Sequence, residues 1–65
     1  MKYPEKNIEA KYNGCGNVSI PVIFTTKDGD EYKGIYDFDS KEWETEDAEY
    51  FDKKEVIKWR AANSN

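Results

Sequence analysis

Two alternating apolar segments flank a single Asp-Gly pair, and this arrangement constrains the fold more than any other feature of the chain. Val18, Ile20, Val22 and Phe24 recur at every second position before Asp28-Gly29, and Tyr32, Gly34, Tyr36 and Phe38 do so after it, against Lys33, Ile35 and Asp37. A period of two puts each set on one face of a strand, and Val, Ile, Phe and Thr suit a pleated, half-buried surface. Asp-Gly supplies the positive φ angles that short turns need, so Lys27-Asp28-Gly29-Asp30 is predicted to close a β-hairpin. Pro21 has no amide hydrogen to give a ladder and is expected at an edge or a bulge; Gly34 is expected to mark a bend or bulge.

The rest of the chain reads more loosely. Ile8, Ala10 and Tyr12 alternate with Glu9 and Lys11 ahead of the glycine-rich stretch Gly14-Cys15-Gly16, which favours a strand. A helix from Pro4 to Tyr12 is the alternative, with Pro4 at its first position. Trp43, Thr45 and Asp47 alternate with Glu42, Glu44 and Glu46 as a short edge strand would. Residues 47–62 can be drawn as a helix through Phe51, Glu55, Val56 and Trp59, or as a turn followed by a strand. The second drawing is preferred, because Ile57, Trp59 and Ala61 alternate cleanly with Lys58 and Arg60. Asp52 to Glu55 then forms the turn, with one helical turn as an option. The expected architecture is mostly β, a small antiparallel SH3-like barrel or curled meander of four to five strands. Residues 1–65 form one domain, with 62–65 a disordered tail, and the expected core is Val22, Phe24, Tyr36, Phe38, Ile57 and Trp59.

A 65-residue chain that is 37% charged must build its core from few side chains, and ten aromatic residues, 15% of the total, are the natural material. No run approaches the roughly 20 apolar residues of a membrane-spanning helix, and no apolar leader follows Met1. A soluble, unprocessed protein of the reducing cytoplasm is expected. With Cys15 alone no intrachain disulfide can form, and without histidine the usual zinc ligand sets cannot be assembled. No metal and no cofactor are expected.

Charge is strongly segregated along the sequence. Residues 28–55 hold twelve of the fourteen acids against four lysines, a net charge of −8 in a chain whose total is −4. Such a field repels a phosphate backbone and attracts basic surfaces, which disfavours direct nucleic-acid binding. Stacking of bases on Tyr32, Tyr36, Phe38, Trp43, Tyr50, Phe51 and Trp59 is disfavoured for the same reason, since aromatic platforms sit in basic grooves. Cys15 has no histidine to act as its base, and its glycine-flanked turn explains it without chemistry. Carboxylates two apart, such as Asp37 and Asp39 or Glu44 and Glu46, share a strand face, but a chain this small has little room for the cleft that acid–base work requires. Asp28, Asp30 and Glu31 lack the spacing of a calcium loop.

The segment DGDEYKGIY at residues 28–36, followed by Trp43 and then EVIKWR at residues 55–60, resembles short uncharacterised small β proteins of phages and prophages. The likeness covers residues 18–61 and implies no activity that can be carried over. Together these readings point to a non-catalytic, acidic, phage-encoded protein-interaction protein that is expected to dock on a basic site of a larger host protein. An inhibitor of a nucleic-acid-handling or defence nuclease, of the anti-CRISPR kind, is the sharpest form of that expectation. The expected contact residues are Asp37, Asp39, Glu42, Glu44, Glu46, Asp47, Glu49 and Tyr50. The alternative is an assembly module that pairs through a sheet edge, as a homodimer for example, with the acids serving solubility only.

Overall fold

The computed structural model describes residues 2–12, 14 and 16–62, and these are mostly β. A short helix α1 (Ile8–Tyr12) precedes five strands: β1 (Val22–Thr26), β2 (Glu31–Asp37), β3 (Glu42–Thr45), β4 (Tyr50–Asp52) and β5 (Val56–Ala61). All strands pair antiparallel in one open sheet of order β4-β3-β2-β1-β5. The sheet has to curl. Its edge strands β4 and β5 are joined by residues 53–55 alone, a link that reaches about 14 Å at full extension. Laid flat, five strands would separate those edges by about 19 Å. Curling also brings Phe24 of β1 and Phe51 of β4, three strands apart, to a ring separation of 5.9 Å.

The concave side holds the core. Val22, Phe24, Tyr36, Trp43 and Val56 are buried, and Ile20, Tyr32, Phe38, Phe51 and Trp59 pack around them. Trp43 is the centre, with its rings 5.3 Å from Phe24 and 4.9 Å from Tyr36. Its buried indole N–H has no hydrogen-bond acceptor among the described residues. Leaving such a donor unpaired costs about 1–3 kcal/mol, a cost set against the apolar burial of the largest side chain in the core. The N-terminal segment lies across this side of the sheet, where Tyr3 stacks on Tyr36 at 4.8 Å and the Lys2 carbonyl accepts the Trp59 indole N–H.

The expected hairpin forms as drawn. Gly29 N–H donates to the Thr26 carbonyl and Thr26 N–H to the Asp30 carbonyl, each at 2.9 Å, with Gly29 at φ 88°. Pro21 sits at an interruption of the ladder. Val18 opposes Asp37 and Val22 opposes Gly34, so one extra residue is accommodated between Ser19 and Pro21. The inward and outward positions swap across that bulge, which turns Val18 away from the core that Val22 and Phe24 enter. Buried Ser19 makes the interruption tolerable, since its hydroxyl accepts from Tyr36 N–H and donates to the Ile20 carbonyl, both at 2.8 Å.

Three expectations need correction. Residues 8–12 are helical, not extended, because Asn7 caps the helix through its Oδ1, which accepts the Ala10 N–H at 3.0 Å, and Gly14 N–H closes its end on the Lys11 carbonyl. Ile8 is 79% exposed, so the alternation there had no core to face. The segment before the last strand is the expected turn: Glu55 N–H donates to the Asp52 carbonyl and Lys54 N–H to Asp52 Oδ1. Ile57 is 54% exposed because Lys58 opposes Thr25 while Val56 opposes Thr26; the extra residue sends Val56 inward and Ile57 outward. Gly34 is not a bulge, since its pairings with Val22 and Thr45 run without a register shift. It is instead a point of close approach, where a Cβ would lie 1.9 Å from the Glu44 carbonyl oxygen.

Strand β4 was not foreseen. It returns through a turn that repeats the first hairpin: Ala48 N–H donates to the Thr45 carbonyl and Thr45 N–H to the Glu49 carbonyl, with Ala48 at φ 63° where the first turn has Gly29. The Thr45 hydroxyl oxygen accepts from Asp47 and Glu49 N–H and holds this turn without a glycine. Ala62 N–H donates to the Pro21 carbonyl, while residues 63–65 of the expected tail lie outside the described residues, as does Cys15.

Candidate functional site: the acidic outer face

The convex face of the sheet is built by the alternate positions of the same strands. On β3, Trp43 and Thr45 point inward, so Glu42 and Glu44 point outward. Register then decides their neighbours. Glu42 lies between Asp37 of β2 and Asp52 of β4, directly opposite both, and Glu44 lies between Ile35 and Tyr50. Asp37, Glu42 and Asp52 therefore form a row of three carboxylates across three strands. Like charges facing each other in this way work against the sheet, by about 0.2–1 kcal/mol for each pair.

The expected contact residues divide into two groups at opposite ends of β3. Asp37, Asp39 and Glu42 lie at the end closed by residues 38–41, and Glu46, Asp47, Glu49 and the start of β4 at Tyr50 lie at the other, with Glu44 between them. Asp52 joins the first group, and sequence reasoning left it out because β4 was not recognised. Two of these acids also have local work. Asp37 Oδ1 accepts from Asp39 N–H at 2.8 Å and Ser40 N–H at 3.2 Å, which fixes the turn that places Lys41 at φ 61°. Asp52 does the same for the next turn through Lys54 N–H. The Tyr32 hydroxyl is pushed up by burial and then by the carboxylates of Asp30, Glu49 and Asp28, so Glu49 of the second group acts on it together with the acids of the first hairpin turn.

Beside Glu44 the outer face is hollowed into an open groove of about 450 Å³, lined by Val18, Pro21 and Ile35 with Lys33, Glu44 and Glu46 at its rim. The bulge at Ser19–Pro21 creates it by turning Val18 outward, a feature that period-two reading cannot see. Lys33 bridges Glu46 across the rim at 3.6 Å, with both side chains largely exposed. The opposite side of the face is basic. Lys58 and Arg60 project from β5, and Arg60 grips Glu31 through two nitrogens at 2.8 and 3.5 Å, which lowers the Glu31 carboxyl below its ordinary value.

Among the described residues no three acidic or cysteine side chains come together as a metal-holding group, and no helix is long and apolar enough to cross a membrane. The carboxylates of Glu42 and Glu44 stand on the outer face of the sheet, opposite the core side that Trp43 and Thr45 enter. No family model, no curated protein and no solved structure matches this chain.

Proposed function

We propose that the protein is a non-catalytic interaction domain whose acidic outer face, carried by β2, β3 and β4, docks on a basic surface of a larger protein. The observation that carries this reading is the row Asp37, Glu42 and Asp52, three carboxylates set opposite one another, none of them in an ion pair among the described residues. Such a row weakens the isolated domain and is relieved when a cationic surface covers it. The adjoining groove gives that surface an apolar footing at Val18, Pro21 and Ile35. A basic surface of this kind is what a nucleic-acid-handling protein uses for its substrate, so docking there excludes DNA or RNA by occupancy and by charge. Among such proteins a defence nuclease is the first partner class to test.

The test is capture from host lysate on immobilised protein at low and at high salt, with Glu42→Lys/Glu44→Lys in parallel. Partners held by the acidic face are retained by the parent at low salt, released as the Debye length shortens, and lost with the double variant. The same variant is expected to melt no lower than the parent, because Glu42→Lys sets a cation between Asp37 and Asp52 while Glu44 has only Ile35 and Tyr50 opposite it. Identical retention by parent and variant refutes the reading.

A further inference from the structure

The sheet ends in two strands, β4 and β5, each paired on one side only, and their free edges are not alike. Edge β4 carries exposed Tyr50 and Asp52, with Glu49 immediately before it and Glu42 and Glu44 behind it on the same face. Edge β5 carries exposed Lys58 and Arg60 on its outer face and the bulged Ile57. Each edge therefore has a row of main-chain groups that no strand among the described residues satisfies, one large apolar side chain more than half exposed, and a charge opposite to that of the other edge: Tyr50 is 57% and Ile57 54% exposed. Exposed edges are ordinarily blunted, and the three-residue length of β4 limits how strong any pairing there becomes.

Three pairings between copies are available to such a chain, and charge selects among them. Joining β5 to β5 sets Lys58 and Arg60 against their own equivalents; joining β4 to β4 sets Asp52, Glu42 and Glu44 against theirs. Only β4 against β5 sets carboxylates against cations. We propose that copies of this chain associate head to tail, the β4 edge of one adding to the β5 edge of the next, with Asp52 and Tyr50 of the first meeting Lys58 and Arg60 of the second. Because each copy keeps one free edge of each kind, the contact is heterologous and repeats, closing into a ring or continuing as a filament instead of stopping at a two-fold dimer. Arg60 is partly engaged by Glu31 within its own chain, which leaves Lys58, without an ion pair among the described residues, as the main cation for the neighbour.

This inference shares Asp52 with the acidic-face docking but needs no foreign partner, and it has its own test on the purified protein alone. The mass of the purified protein is followed by sedimentation from micromolar to millimolar concentration, for the parent, for Lys58→Glu, for Asp52→Lys and for an equimolar mixture of the two variants. Thermal melts of each confirm folding, and Asp52→Asn, which keeps the acceptor for Lys54 N–H, replaces Asp52→Lys should the latter unfold. The expected result is a parent whose mean mass rises with concentration beyond 7.6 kDa. Each reversal alone is expected to weaken association by about fivefold or more, as loss of roughly 1 kcal/mol of surface ion pairing gives. The mixture is expected to regain it, since alternating variants set acid against base at every contact. A parent that stays at one chain mass throughout overturns the proposal. So does association that Lys58→Glu strengthens, which is the signature of β5 pairing with itself, or a mixture that associates no better than its components.

Discussion

Gly34→Ala is expected to unfold the protein, for a reason opposite to the usual one for glycine. Gly34 is not at a positive φ, so alanine is conformationally acceptable there and by itself would favour the folded state by about 0.4–1 kcal/mol through the unfolded chain. Sterics decide against it. The added Cβ would lie 1.9 Å from the Glu44 carbonyl oxygen, 2.8 Å from its carbonyl carbon and 2.9 Å from Thr45 Cα, all backbone atoms that no rotamer change can move. Relief requires β2 and β3 to part by more than an ångström at the Gly34–Thr45 pair, yet β2 is held on its other side by β1 at Val22. Overpacking of this kind costs about 1–3 kcal/mol or more, and each ladder hydrogen bond lost adds about 1 kcal/mol. Domains of this length seldom hold more than about 3–5 kcal/mol in reserve. The assay is urea denaturation followed by circular dichroism, with Gly29→Ala as control: nothing lies within 4 Å of a Cβ at Gly29, and its φ of 88° alone costs the variant about 1–2 kcal/mol. A Gly34→Ala protein that unfolds cooperatively within about 1 kcal/mol of the parent, or that is more stable than Gly29→Ala, refutes the close approach of β2 and β3.

Ala48→Gly is expected to stabilise the protein by about 1 kcal/mol in the same denaturation assay, because it removes a Cβ from φ 63° in a turn whose counterpart already has glycine. Trp43→Ala should abolish the cooperative melt, given a cost of about 3–5 kcal/mol for emptying the centre of the core, whereas Ile57→Ser at an exposed bulge should shift it little. The Glu31–Arg60 pair lowers the Glu31 carboxyl from 4.5, so its contribution is present above that value and disappears as pH falls through the lowered one. Urea midpoints of the parent and Glu31→Gln should differ slightly at neutral pH and converge in acid; a gap that widens in acid contradicts the assigned direction. Burial raises the Tyr36 hydroxyl above 10.0, so its neutral form supports the fold up to that pH and the support fades at higher pH; Tyr36→Phe should resist alkaline unfolding better than the parent.

The hairpin β1–β2 and the strand at Trp59 were readable because alternation and the Asp-Gly pair act locally, within a few residues of the structure they specify. Strand β4 was hidden by its turn. Thr45 and Ala48 build there what Gly29 announces in the first hairpin, and Glu46-Asp47-Ala48-Glu49 carries no glycine to signal it. The strand expected at residues 8–12 failed for a different reason: alternation was present, but the Asn7 cap and the absence of anything to bury Ile8 favour a helix. Bulges defeated the remaining assignments. One extra residue before Val22 and another at Ile57 reverse which positions face inward, and no pattern in the side chains marks where the count shifts. The acidic composition was visible from the start, but the row Asp37, Glu42 and Asp52 exists only once strand order and register are known.

The three-residue link between β4 and β5 has a kinetic consequence. Strands β1 to β4 pair with their sequence neighbours, so each hairpin can zip from its own turn within microseconds. Strand β5 instead has to find β1, bringing Ala61 beside Val22 across the whole meander, and the short tether lets it arrive only after the sheet has begun to curl. The pairing of the last strand with the first is thus the slow event, and the chain's speed of folding is governed less by its hairpins than by the closure of its ends around Trp43.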